Sequence, residues 1–168
     1  MYIPDAIVSL AGSLPAVTIG RVGWIMAHEL VHALDPSGIH FDHTGLYVGK
    51  SVMLLSDEEW SSYDRFISCI STGRANHMAE DFADILGALA VKECPGYQSG
   101  IEIGPPSFTL TSEQTLAVSM SQLWCTSSAE LDTPVSDPHS FSESRVTKSM
   151  APFLSAFECE VAPYCHIA

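Results

Sequence analysis

The chain has 168 residues, enough to bury the core of one domain, and a formal charge of −13 from 20 acidic against 7 basic residues. It holds no basic patch and no Lys/Arg-rich helix, so nucleic acid and anionic membrane surfaces are not expected partners, whereas an acidic cleft would attract cations. No internal repeat or low-complexity segment divides residues 1–168.

Residues 1–15 read as a short extended segment ending in turns, punctuated by Pro4, Gly12 and Pro15. Ala6–Leu34 is almost continuously apolar, but Pro15, Arg21 and a His/Glu triplet interrupt it. No clean apolar run of about 18 residues is left to span a membrane. Met1–Asp5 is acidic rather than basic and fits a signal peptide poorly. Thr18 or Gly20 starts a helix carrying Val22, Trp24, Ile25, Leu30 and Val31, and Asp35-Pro36-Ser37-Gly38 stops it. Being apolar nearly all round, this helix is expected to be buried.

It also carries His28-Glu29-Leu30-Val31-His32. The i, i+4 spacing puts both imidazoles on one face, where they can grip one Zn²⁺, and Glu29 lies about 100° round the helix as a carboxylate able to take a proton from water. Zinc on two histidines needs a third protein ligand and keeps one position for water. A further histidine or a carboxylate on a second helix could fill the third place.

Ile39–Val52 reads as an irregular polar loop, and its His40 and His43 read as surface histidines. Ser56 and Glu59 form a capping box that opens a second helix, with Trp60, Tyr63, Phe66, Ile67 and Ile70 as a core stripe. A third helix covers about Ala75–Glu93, with Met78, Phe82, Ile85, Leu86 and Leu89 on its apolar face. Glu80 and Asp84 share another face at i, i+4, a repulsive spacing in water that becomes useful beside a dication: one as ligand, the other holding a ligand histidine from behind. Turns fill Cys94–Ser107. Thr111 or Ser112 starts a fourth helix through Leu116, Val118, Met120, Leu123 and Trp124; Ser127–Ser142 is a loop carrying His139, and a last helix runs from about Glu143 to Phe157.

The five cysteines (Cys69, Cys94, Cys125, Cys159 and Cys165) contain no C-x-x-C pair, which excludes a zinc knuckle or a thioredoxin motif. Scattered in this way they suggest extracellular disulfides, with at least one thiol left over. Asn76 is the sole asparagine and lies in no glycosylation sequon.

Ile25–Asp35 resembles the V-x-x-H-E-[IL]-x-H-[AG]-[FL]-D helix of the neprilysin and endothelin-converting-enzyme peptidases, which are thermolysin-like zinc enzymes (gluzincins). Glu80–Gly87 resembles their E-N-x-A-D-x-G-G motif, and Gln122-Leu123-Trp124-Cys125 their Gln-x-Trp-Cys. Asp137-Pro138-His139-Ser140 with Arg145 resembles D-x-H-S-P-x-x-x-R, and Cys165-His166-Ile167-Ala168 the closing Cys-x-[VI]-Trp. The five motifs stand in family order. The resemblance implies a mainly α, thermolysin-like catalytic subdomain over 1–168, with the histidine-bearing helix amid a helical bundle and long loops. It implies one zinc ion held by His28, His32 and Glu80, with Glu29 as general base, and Asp84 bonded to the outer nitrogen of a ligand imidazole. His139, oriented by Asp137, would stabilise an oxyanion, and Arg145 would bind a substrate carbonyl or carboxylate. The implied function is zinc-dependent hydrolysis of small peptides, outside the cell or in the ectodomain of a membrane-anchored protein.

Departures accompany the likeness. Asp81 stands for the family's asparagine, Phe141 for the proline after His-Ser, and Ala168 for the last tryptophan. The substrate-pairing Asn-Ala-Phe/Tyr motif and the large N-terminal domain, a partner in the family, are absent from the sequence. The chain is therefore expected to begin inside the family's catalytic domain, where Ile3–Ile7 resembles I-P-x-x-I-L. By resemblance Cys69 pairs with Cys165, Cys125 and Cys159 match cysteines that bridge to the N-terminal part, and Cys94 has no counterpart. Two rival readings stand beside the enzyme: a truncated paralogue that binds zinc or peptide without turnover, and a helical structural domain with fortuitous histidines.

Overall fold

The computed structural model describes residues 11–12, 14–49, 55–71, 77–97, 109–124, 143–160 and 165, with residues 143–145 described in backbone alone. Pro15 opens the first helical stretch among the described residues, because its fixed φ and missing N–H suit a first helical position. α1 (Pro15–Thr18) runs through a π-helical segment (Ile19–Gly23) into α2 (Trp24–Val31), and a 3-10 turn (His32–Leu34) closes the stretch. The helix thus begins before the predicted Thr18 or Gly20: Pro15, taken as turn punctuation, serves here as a helix starter.

The expected all-round burial of this helix is corrected. Trp24 and His28 are buried, while Met26, Leu30 and Leu34 are 38, 63 and 50% exposed. Among the described residues α2 packs chiefly on one neighbour, α4, so its apolar residues fall on both sides of a half-covered helix. Beyond it, a 3-10 turn (Gly38–His40) leads to a loop closed by a single antiparallel bridge between Phe41 and Tyr47. In that loop Asp42 Oδ1 accepts from the backbone of Thr44 and Leu46 and from the Thr44 hydroxyl. His43 is exposed as predicted. His40 is half-buried instead, its ring 16° from parallel with Trp60, because the loop folds back onto the next helix.

α3 (Asp57–Ile70) starts at the predicted Ser56/Glu59 capping box, and α5 (Ser112–Ser121) at a matching Thr111/Gln114 box. α4 (Met78–Lys92) lies between them. α6 (Glu143–Met150) tightens into a 3-10 helix (Ala151–Phe157) rather than continuing to Phe157 as one α-helix; Pro152 has no N–H for an α-helical bond. The described residues are mainly helical and include no named strand, in keeping with the predicted class.

α4 is flanked by two cores. Ala88 and Val91 join Trp24, Leu116, Met120 and Phe153 on one flank, and Phe82 and Ile85 join Phe66 and Ile70 on the other. Burying a large apolar side chain contributes about 1.5–3 kcal/mol, so both flanks hold α4 in place. Two glycines set the helix spacing. A Cβ on Gly20 would lie 2.5 Å from the Leu116 carbonyl oxygen of α5, and one on Gly87 would lie 3.1 Å from the His28 nitrogen. Gly87 therefore lets α4 approach α2 at His28. Cys69 and Cys165 form a disulfide, tying the end of α3 to the C-terminal region. Cys94 and Cys159 are free thiols, and Cys125 lies outside the described residues. No helix among the described residues is long and apolar enough to cross a membrane.

Candidate metal centre

α2 and α4 cross where their polar residues meet. His28 and His32 project from α2, and Glu80 from the first turn of α4, each offering one ligand atom within 4.8 Å of the others. His28 Nε2 lies 3.1 Å from His32 Nε2 and 3.3 Å from Glu80 Oε2, and His32 Nε2 lies 3.7 Å from Glu80 Oε1. Zinc bonds of about 2.0–2.1 Å at a tetrahedral angle separate ligand atoms by about 3.3 Å. The three atoms thus outline one face of a zinc-sized tetrahedron, and two imidazoles with a carboxylate are a donor set that zinc takes.

Each imidazole is held from behind. Asp84, fully buried one turn after Glu80, places Oδ1 2.9 Å from His28 Nδ1. Asp35 Oδ2 lies 2.8 Å from His32 Nδ1, while its Oδ1 accepts from the Ser37 and Gly38 backbone N–H groups at 2.7 Å each. These carboxylates fix which imidazole nitrogen faces the common centre, as carboxylate–histidine pairs do behind bound metals. Trp24 packs its ring against His28 and donates its indole N–H to the Asp84 carbonyl at 3.4 Å. Tyr63 of α3 donates to the Leu34 carbonyl at 3.0 Å and pins the turn beside Asp35. Burial, then the nearby Asp35 and Asp64 charges, push the Tyr63 phenol well above its usual range, so it stays a donor.

Burial works against a charge on His28. Hydrogen bonds to Asp84 and Glu80, together with their negative charges, outweigh it and raise its pKa from 6.5 to about 9 without metal. The pocket is built to stabilise positive charge.

Among the residues predicted for the site, the structure brings His28, His32, Glu80 and Asp84 together. Glu29 follows His28 on α2 and is exposed to solvent. Arg145 belongs to α6, with its side chain outside the described part, and Asp137 and His139 lie outside the described residues. Sequence reasoning gave Asp35 only a helix-stopping role. Its position three residues after His32, at a helix end where an aspartate can fold back, was the available signal.

Residues 12–164 match the family model described as Peptidase family M13. Endothelin-converting enzyme 1 of Cavia porcellus is 28% identical over 186 residues, covering 92% of this chain and 24% of that protein. Neprilysin-3 of Drosophila melanogaster is 28% identical over 165 residues, covering 86% of this chain and 21% of its own length. Endothelin-converting enzyme 1 of Homo sapiens is 27% identical with the same coverage, 86% and 21%. The chain spans roughly a fifth to a quarter of the length of the curated relatives it matches (21–24%). With its helix motif, its Glu80/Asp84 pair and a family match over nearly its whole length, the chain belongs to peptidase family M13, the neprilysin- and endothelin-converting-enzyme-like metallopeptidases.

Proposed function

We propose that this chain is the catalytic subdomain of a zinc-dependent endopeptidase that hydrolyses small peptides. The observation that carries the reading is the triangle of His28, His32 and Glu80 with a carboxylate behind each imidazole. When bound there, zinc would supply Lewis acidity, lowering the pKa of a coordinated water to about 7 and polarising the scissile carbonyl. Asp84 and Asp35 keep the two imidazoles turned inward. Glu29, next to His28 yet open to solvent, takes the proton of the attacking water and hands it to the departing amine. By their place in the family motifs, His139, oriented by Asp137, stabilises the oxyanion, and Arg145 holds a substrate carbonyl or carboxylate. The Cys69–Cys165 disulfide suits an oxidising compartment, and we assign the protein to the extracellular side.

Zinc-dependent cleavage of a quenched peptide, abolished by Glu29→Gln with zinc retained, is the expected result. A second reading is a family member that binds zinc or peptide without turnover. Stoichiometric zinc with no peptide cut under any condition would establish that reading instead. Absence of tight zinc after dialysis, with thermal stability indifferent to chelator, would remove both.

A further inference from the structure

Glu80 occupies the first turn of α4, where backbone N–H groups have no partner within the helix. The N-cap residue, His77, contributes no capping side-chain hydrogen bond. Helix ends of this kind fray, so a metal ligand placed there needs an anchor from elsewhere. The next residue provides one. Asp81 is 8% exposed, and Lys148 of α6 donates to its Oδ2 at 2.6 Å. The same ammonium donates to the carbonyl of Ile70, the last residue of α3, at 3.0 Å. One cation therefore joins the end of α3, the start of α4 and α6. The α3 end is itself fixed by the disulfide at Cys69. Asp81 Oδ1 is buried with no hydrogen-bond partner among the described residues, so Asp81 leans on this one ion pair. Asp81 is also a position where this chain departs from the family motif that it resembles.

We propose that Lys148 is a positioning residue for Glu80: by pairing with Asp81 and the Ile70 carbonyl, it locks the first turn of α4 so that the Glu80 carboxylate faces the two imidazoles. The inference rests on the reading of His28, His32 and Glu80 as zinc ligands. Without the ammonium, Asp81 is a buried carboxylate lacking its cation, a state relieved by turning that residue toward water. Such a turn moves the adjoining Glu80 away from the histidine nitrogens, although Lys148 touches neither metal nor substrate.

The test compares the full chain with Lys148→Met and with Phe153→Leu, which thins the core on the far flank of α4. Zinc affinity is read by competition with a chromophoric chelator, and the ligand set by the absorption bands of the cobalt-substituted protein. Lys148→Met is expected to weaken zinc about 10–100-fold and to alter the cobalt bands as a carboxylate ligand is lost. Phe153→Leu, despite a lower melting temperature, is expected to leave both unchanged. Wild-type affinity and spectrum in Lys148→Met would overturn the inference, as would an equal loss in Phe153→Leu. Should Lys148→Met not fold, Asp81→Asn is read in its place: a smaller loss in the same direction supports the inference, and unchanged affinity overturns it. A wild-type chain that binds no zinc sinks the metal-site reading itself, a result distinct from either of these.

Discussion

His28 and His32 sit one turn apart on the same helical stretch, yet opposite kinds of contact hold them. The His28 side chain is 6% exposed, and its nitrogens face Asp84 and Glu80, both delivered by α4. The His32 side chain is 25% exposed and is held by Asp35, three residues further on, which the Ser37 and Gly38 N–H groups fix in turn. One half of the centre therefore exists only when two helices pack. The other half forms with the end of its own helix. Buried polar contacts assembled across elements are the ones whose loss costs most, because partners left behind cannot return to water.

His28→Ala and His32→Ala should separate the two halves most sharply. Both are expected to lose tight zinc, read as metal content after dialysis. In chelator-treated protein, however, His28→Ala takes the imidazole from two buried carboxylates and should cost about 3–5 kcal/mol, against about 1 kcal/mol for His32→Ala. Denaturant melts check this, and equal costs would erase the distinction. Next in size are the supporting carboxylates. Asp84→Ala is expected to weaken zinc about 100-fold and Asp35→Ala about tenfold, the upper and lower ends of the range for groups behind metal ligands. A reversed order in the chelator competition would show the local contact to be the stiffer one.

The last effect is one of pH, and it belongs to His28. Its folded pKa of about 9 without metal lies above the ordinary 6.5, so the imidazole must lose a proton before it can ligate. Apparent zinc affinity should rise by up to about tenfold per pH unit and level off above about 9. The raised value also stabilises the metal-free fold. That contribution is fully present below pH 6.5 and fades as the pH rises through about 9, so the metal-free protein should melt lower at pH 9 than at pH 6.5. A metal-free melting temperature that climbs over this interval would contradict the environment described for His28.

Much of this site was legible in the residues because it is written in short spacings. His28 and His32 lie four apart, as do Glu80 and Asp84, and helical geometry alone puts each pair on one face. The Ser56/Glu59 capping box likewise marked the start of α3, since reciprocal side-chain and backbone bonds need only local sequence. Features that depend on neighbours were not legible. Nothing local distinguishes a helix buried all round from one packed on a single side, so the exposure of Leu30 and Leu34 came as a correction. A proline can end a turn or begin a helix, and here it begins one at Pro15.

By itself the sequence determined the mainly helical class, the donor types and the family motif order, because each is carried by residues within a few positions of one another. Only the tertiary structure decided that His28 and Glu80 come within 3.3 Å, that Asp84 backs His28 rather than His32, and that Lys148 closes on Asp81. Those contacts join separate helices, and packing fixes them: Gly87 sets how near α4 comes to His28, and two apolar cores hold α4 on either flank.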